Sequence, residues 1–412
     1  MRRWNESLAR ALILFALFLP ACGTRSSGPA LNDLVFASSG TSVVGLEVAS
    51  GRIVLDAPYA IPTADWSRIF SADLDGVTSR IVVDDVVSGA TRELARPAGN
   101  LVPRVVSRSG RLVALASPRA TEADRWSPVP RTTTELATLE LEGGTQRLRR
   151  FSLAGNYEPE AFTTDDGTLV LVEYLPAAAP NRYRLSELDL ETGRVYLLGQ
   201  RIKRFAPAEM RGTGRTQVAA PDGSVLYTLY TRQGPNPAHP VPGAALTPSP
   251  IHAFVHVLNL GEGWAHCVDL PDGFGAGGGA LAVAPDGSRL VAFDGTTIAS
   301  LDTTSLGVSH TTRPGNGSTG GPPMAAVAPD GSLFVGGGRE ILRLDPGTLA
   351  VSRYYPLAGV AHGLGVSPDG ARLYVTLDGI VQVLDAATGA PVDTFSAPGA
   401  AAILHVVAIP GS

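Results

Sequence analysis

Seven histidines, two cysteines and 38 acidic residues are the groups from which this chain could build reaction chemistry. The nearest approach to a metal set is His252, His256 and His266: the first two are four apart on one face of an extended segment, and the third lies on the next segment. Three imidazoles so spaced suit zinc. Neither a carboxylate nor a thiol is placed with them, however, and Phe254 and Leu258 take up the same face, so no metal is expected. Asp73-Leu74-Asp75-Gly76 begins like a calcium loop and lacks its later oxygen ligands. Asp165-Asp166 falls in a turn, which gives it no role as a paired acid and base. The chain has no GxSxG, no HExxH, no phosphate-cradling glycine loop and no CxxCH. No catalytic residue and no cofactor is therefore expected. The side chains best suited to touching a ligand or partner are Arg125, Trp126, Arg131, Arg232, His239 and His362. On a loop, an aromatic or cationic group combines contact area with a polar end.

The elements that must position those residues repeat along the chain. One motif is a turn: Ala220-Pro221-Asp222-Gly223, Ala284-Pro285-Asp286-Gly287, Ala328-Pro329-Asp330-Gly331 and Ser367-Pro368-Asp369-Gly370. Looser copies stand at Thr164-Asp165-Asp166-Gly167, Ser107-Arg108-Ser109-Gly110 and Thr63-Ala64-Asp65-Trp66. Pro presets φ for the second position of a type I turn, Asp suits the third and Gly closes it. A second motif ends a later strand, as in Leu384-Asp385-Ala386-Ala387-Thr388-Gly389 and Leu188-Asp189-Leu190-Glu191-Thr192-Gly193. Together they predict strand, turn, strand, connector, strand, turn, strand, which is the blade of a β-propeller. The expected fold is all-β, with four-stranded antiparallel blades over residues 32–412. The second motif occurs eight times and the first seven, so eight blades are expected, with seven as the alternative. The N-terminal repeat lacks its leading strand, and Ile403 to Gly411 reads as that strand, closing the ring by pairing with the first blade.

In a blade of strands a to d, both motif turns lie on one face of the disk, and the b–c and d–a connections lie on the other. The long connections all fall on that second face: Arg119 to Thr134, Pro176 to Arg182, Arg232 to Pro250, Phe274 to Gly279 and Pro314 to Pro323. Long loops on a rigid face are the usual place for binding.

Ser367-Pro368-Asp369-Gly370-Ala371-Arg372-Leu373-Tyr374-Val375-Thr376, followed by Val381 to Gly389, resembles the YVTN type of β-propeller repeat. Leu377 stands where that family has Asn. The resemblance implies a propeller over nearly the whole chain. It leaves activity open, since lactonases, redox-enzyme subunits and surface-binding proteins share this look.

The N-terminus predicts the compartment. Arg2, Arg3 and Arg10 precede a short apolar run, Ala11 to Leu19, roughly half the ~20 residues that a membrane span needs. Leu19-Pro20-Ala21-Cys22 resembles a lipobox, in which the cysteine sulfur is lipidated before cleavage; Pro20 departs from the pattern. The expected organisation is a signal peptide over 1–21, lipidated Cys22 with a tether over 22–31, and the propeller held outside the cytoplasm on a membrane. Cys267 is then without a disulfide partner and reads as a buried thiol. A formal charge of -5 with scattered cations gives no footprint for nucleic acid. The partner expected is a protein or polymer of the cell envelope, bound without catalysis. The alternative is a lactonase-like hydrolase or a redox accessory subunit with its site at the channel mouth. Replacing the attachment atom, Cys22→Ser, should leave an unprocessed precursor. Intact-mass spectrometry showing an unmodified wild-type N-terminus would reject the lipid anchor.

Overall fold

The computed structural model of the chain describes residues 33–118, 129–142, 145–198, 210, 214–231, 253–275, 278–314 and 320–409. Among these there is no helix, and the strands form eight four-stranded antiparallel sheets, the blades of a β-propeller.

The repeat turns explain why the chain doubles back where it does. In the turn at Ala220, the Gly223 N–H donates to Ala220 O and the Ala220 N–H to Val225 O, both at 2.8 Å. The Asp222 carboxylate accepts the N–H and hydroxyl of Ser224 at 2.9 and 2.7 Å. Gly223 has φ +69°, a left-handed backbone that costs glycine little. Two turns keep this geometry without glycine, at Trp66 (φ +56°) and Asp166 (φ +61°). The second corrects the expected alignment by one residue. Asp166 N–H donates to Thr163 O and Thr163 N–H to Thr168 O, both at 3.0 Å, so the turn is Thr163-Thr164-Asp165-Asp166 and Gly167 lies outside it.

Blade 1 contains β1 (Asp33–Ser39), β2 (Ser42–Glu47) and β3 (Arg52–Pro58). The chain then runs from centre to rim in every blade: β4 to β7 (61–95) in blade 2, β8 to β11 (102–154) in blade 3 and β12 to β15 (156–197) in blade 4. Blades 5 to 8 follow as β16 to β19 (214–269), β20 to β23 (280–312), β24 to β27 (324–361) and β28 to β31 (363–396). The last strand, β32 (Ile403–Ala408), returns to blade 1 and pairs with β1 as its innermost strand, with Val35 opposite Val406 and Phe36 opposite His405. A side-chain clasp lies beside this seam. The Tyr374 hydroxyl in blade 8 donates to the Asp33 carboxylate, and Arg372 approaches the same oxygen at 3.7 Å.

Between blades, apolar faces pack together. Phe36, Leu34 and Ile69 are buried between blades 1 and 2, and Phe334, Tyr355 and Leu373 between blades 7 and 8. Removing residues 402–412 strips the inner edge of blade 1 and uncovers Leu34 and Phe36, each now almost fully buried. Exposing two such side chains costs about 3–6 kcal/mol. The truncated protein should therefore melt on the order of 10 °C below the full chain; an unchanged transition by differential scanning calorimetry would show that the seam contributes little.

Candidate functional site

The inner strands of the propeller fall into two kinds. Those of blades 6 to 8 read Ala280-Leu281-Ala282-Val283, Met324-Ala325-Ala326-Val327 and Gly363-Leu364-Gly365-Val366, with no ionisable group. The inner strands of blades 3 to 5 are β8 (Val102–Val106), β12 (Asn156–Phe162) and β16 (Gly214–Ala219), and they carry Arg104, Glu158, Glu160, Arg215 and Gln217. When the seven repeat turns are aligned, the position three residues before each turn is Ala60, Arg104, Glu160, Gln217, Leu281, Ala325 and Leu364. Three adjacent blades therefore present a polar side chain at one equivalent place.

Two of these side chains are delivered by β-bulges. In blade 3, Pro103 pairs with Leu115 and Val105 with Ala114, leaving Arg104 as the extra residue. In blade 4, Pro159 pairs with Leu171 and Ala161 with Val170, leaving Glu160 as the extra residue. In both, a proline that has no N–H for the ladder precedes the bulged residue. A bulge bends the strand and re-aims the side chain it carries.

The charges are buried and matched across blades. Arg104 Nε lies 3.0 Å from Glu158 Oε1, and these side chains are 10% and 4% exposed. Arg104 Nη2 donates to Ser117 O at 2.6 Å. Glu160 forms an ion pair with Arg215, at 5% and 2% exposure, and accepts Gln217 Nε2 at 2.7 Å. The Arg215 guanidinium also lies 5.6 Å from the Tyr230 ring centroid. Behind Tyr230 the buried His256 ring is held at a pKa of about 3, first by desolvation and then by the charges of Arg215 and His266, so it is neutral at physiological pH.

These groups border a cavity of about 420 Å³ along the central channel. Arg104, Arg108, Glu160 and Gln217 supply its polar wall, and Tyr59, Ile61, Phe162 and Leu226 its apolar one. Thr41 and Tyr59 reach it at the face of the b–c and d–a connections, and Arg108 and Gly223 at the face of the repeat turns.

Of the contact residues expected from sequence, Arg131 and His362 are described. Arg131 sits where the blade 3 connection rejoins β10 (Thr133–Glu142); its N–H donates to Ala177 O at 3.1 Å and its guanidinium is 4.0 Å from Glu158. Buried Asn156 fastens the same root, its Nδ2 donating to Val129 O at 3.0 Å. His362 pairs with Asp378 at 2.8 Å in the b–c turn of blade 8, away from the charged sector. Arg125, Trp126, Arg232 and His239 lie outside the described residues, as do Cys22 and His252. The register of blade 5 sets His256 opposite Cys267 and His266 opposite Val257, so the two imidazoles leave opposite faces of the hairpin. Among the described residues no group of three His, Cys, Asp or Glu is placed to hold a metal ion. Arg104, Arg108, Glu160 and Gln217 were not expected from sequence. Their signal was present in the matched Pro103-Arg104 and Pro159-Glu160, each Pro four residues before its turn.

No protein-family model matches the chain, and no curated protein does. Solved structures do. AztD from Citrobacter koseri superposes with a TM-score of 0.55 at 12% identity, covering 92% of this chain and 98% of that one. The dihydro-heme d1 dehydrogenase NirN, solved in complex with DHE, gives 0.52 at 16% identity, covering 91% and 75%. A putative 6-phosphogluconolactonase from Bacteroides fragilis gives 0.43 at 14%, covering 92% and 99%. At such identities the first two likenesses establish the β-propeller fold alone.

Proposed function

We propose that this protein is a non-catalytic binding module, anchored to the cell envelope through lipid on Cys22, which holds its ligand or partner in the charged sector of blades 3 to 5. The observation that carries this reading is the internal contrast between inner strands. Taking a guanidinium and a carboxylate out of water costs several kcal/mol per ion, which their mutual attraction only partly returns. Blades 6 to 8 build the same strand from Ala, Leu, Val, Met and Gly, so the fold does not require buried charge there. Charge kept in three adjacent blades, two of them through bulges, is suited to recognising something in the channel. The long connections expected from sequence at 119–134 and 232–250 leave from the same blades.

The ionisable groups in question are committed to partners: Glu158 to Arg104, Glu160 to Arg215 and Gln217, and His362 to Asp378. Carboxylates held this way hold a fixed pattern of charge, which favours binding over the hydrolase reading, where a base must be free to take a proton.

The double replacement Glu160→Leu/Arg215→Leu tests the reading, because it installs at the first position the residue that blades 6 and 8 already use there. Replacing a buried ion pair by apolar groups is often neutral or stabilising by ~1–4 kcal/mol. The melting temperature should hold or rise, whereas wild-type protein extracted from its own membranes should carry, by native mass spectrometry, a bound mass that the double variant lacks. A variant that melts well below wild type, together with a wild-type protein carrying no added mass, would make the charges structural and reject the site.

A further inference from the structure

Resting on the channel as the binding site, we infer that its ligand is an organic anion, one carboxylate or phosphate on an apolar body, whose acid group is taken by Arg108. Arg108 occupies the second position of the blade 3 turn, where four other turns have Pro221, Pro285, Pro329 and Pro368. Proline at a compatible turn position stabilises by restricting the unfolded chain, so arginine forgoes that gain. Arg108 is exposed, yet its stem does not run along its own blade. It crosses to blade 5, where its Cγ and Cδ stand 3.4 and 3.5 Å from where a Cβ on Gly223 would be. The stem thus rests on a glycine and the guanidinium borders the cavity at the turn-side end of the channel.

The other guanidinium groups of this sector have carboxylates: Arg104 and Arg131 meet Glu158, and Arg215 meets Glu160. Among the described residues Arg108 has neither an ion pair nor a hydrogen bond. Its nearby carboxylate, Asp222, feels the Arg108 charge but makes its hydrogen bonds to the N–H and hydroxyl of Ser224. Arg108 is therefore a cation at the cavity with its donors unspent, and a guanidinium offers a planar fork that matches carboxylate and phosphate oxygens. The remaining wall sets the rest of the ligand. Ile61, Val106, Phe162, Leu226 and Leu260 add hydrocarbon that fits an apolar body, while Arg104 and Glu160 on the same wall are already paired with Glu158 and Arg215.

Two fluorescent probes that share a ring system separate charge from shape: 8-anilinonaphthalene-1-sulfonate, which is anionic, and N-phenyl-1-naphthylamine, which is neutral. Titrated into the compact unit Asn32–Ser412, the anion should bind at least about tenfold more tightly, as expected for a charge-assisted hydrogen bond. Arg108→Ala should bring its affinity down to that of the neutral dye with an unchanged melting temperature, Arg108→Lys should keep part of the preference, and added salt should erode it. Decanoate and decyl phosphate, competing at equal concentration, then distinguish the two acids. Equal binding of both dyes, untouched by Arg108→Ala, would overturn the anion inference and leave the channel site standing. Binding of neither dye would overturn both.

Discussion

A stack of twisted sheets around an axis is stable only if its last member meets its first, and here a single antiparallel pairing accomplishes this. With β32 seated on β1, blade 1 gains its fourth and innermost strand, and the chain's last strand joins its first blade. The Tyr374–Asp33–Arg372 clasp adds buried polar contacts beside the same seam. Everything else in the molecule assumes this closure. The channel exists as an enclosed space because the ring is complete, and charges placed on inner strands are shielded from bulk water only while it stays so.

Within that frame the sequence divides its work between rim and centre. The repeat turns are built from local forces: a proline that sets φ, an aspartate that accepts its own turn's N–H groups, and a glycine in the left-handed region. Such turns recur because they depend on nothing beyond themselves. The inner strands obey a different rule. Their side chains face either the neighbouring blade or the channel, so what each can carry depends on residues far away in sequence. Arg104 finds Glu158 and Glu160 finds Arg215 only once three blades are aligned.

That division also accounts for what could be read from the chain before its structure was described. The all-β class, the eight four-stranded blades and the closing role of the last strand were legible, because each rests on local turn chemistry or on alternation along one strand. The turn at Thr163 was misplaced by one residue because Gly167 imitates the closing glycine, while Asp166 adopts its conformation. Arg104 and Glu160 passed unnoticed because a bulge is a property of a strand pair, and Pro-Arg or Pro-Glu in one strand does not announce it. The side from which His266 leaves its strand was likewise not legible, and the hairpin register sets it on the face opposite to His256. Of the loop residues expected to make contacts, Arg131 is held at the edge of the charged sector and His362 outside it.

The seam has one more consequence. Every other blade joins its innermost strand to the next through a four-residue turn, and blade 1 alone makes that junction between Ala408 and Asp33, which already face one another across the ladder. The order in which the polypeptide visits its blades is therefore cyclic in space although linear in synthesis. Bridging that junction with one more Pro-Asp-Gly turn and opening a different one would give a circular permutant with the same blades, the same channel and a new starting point.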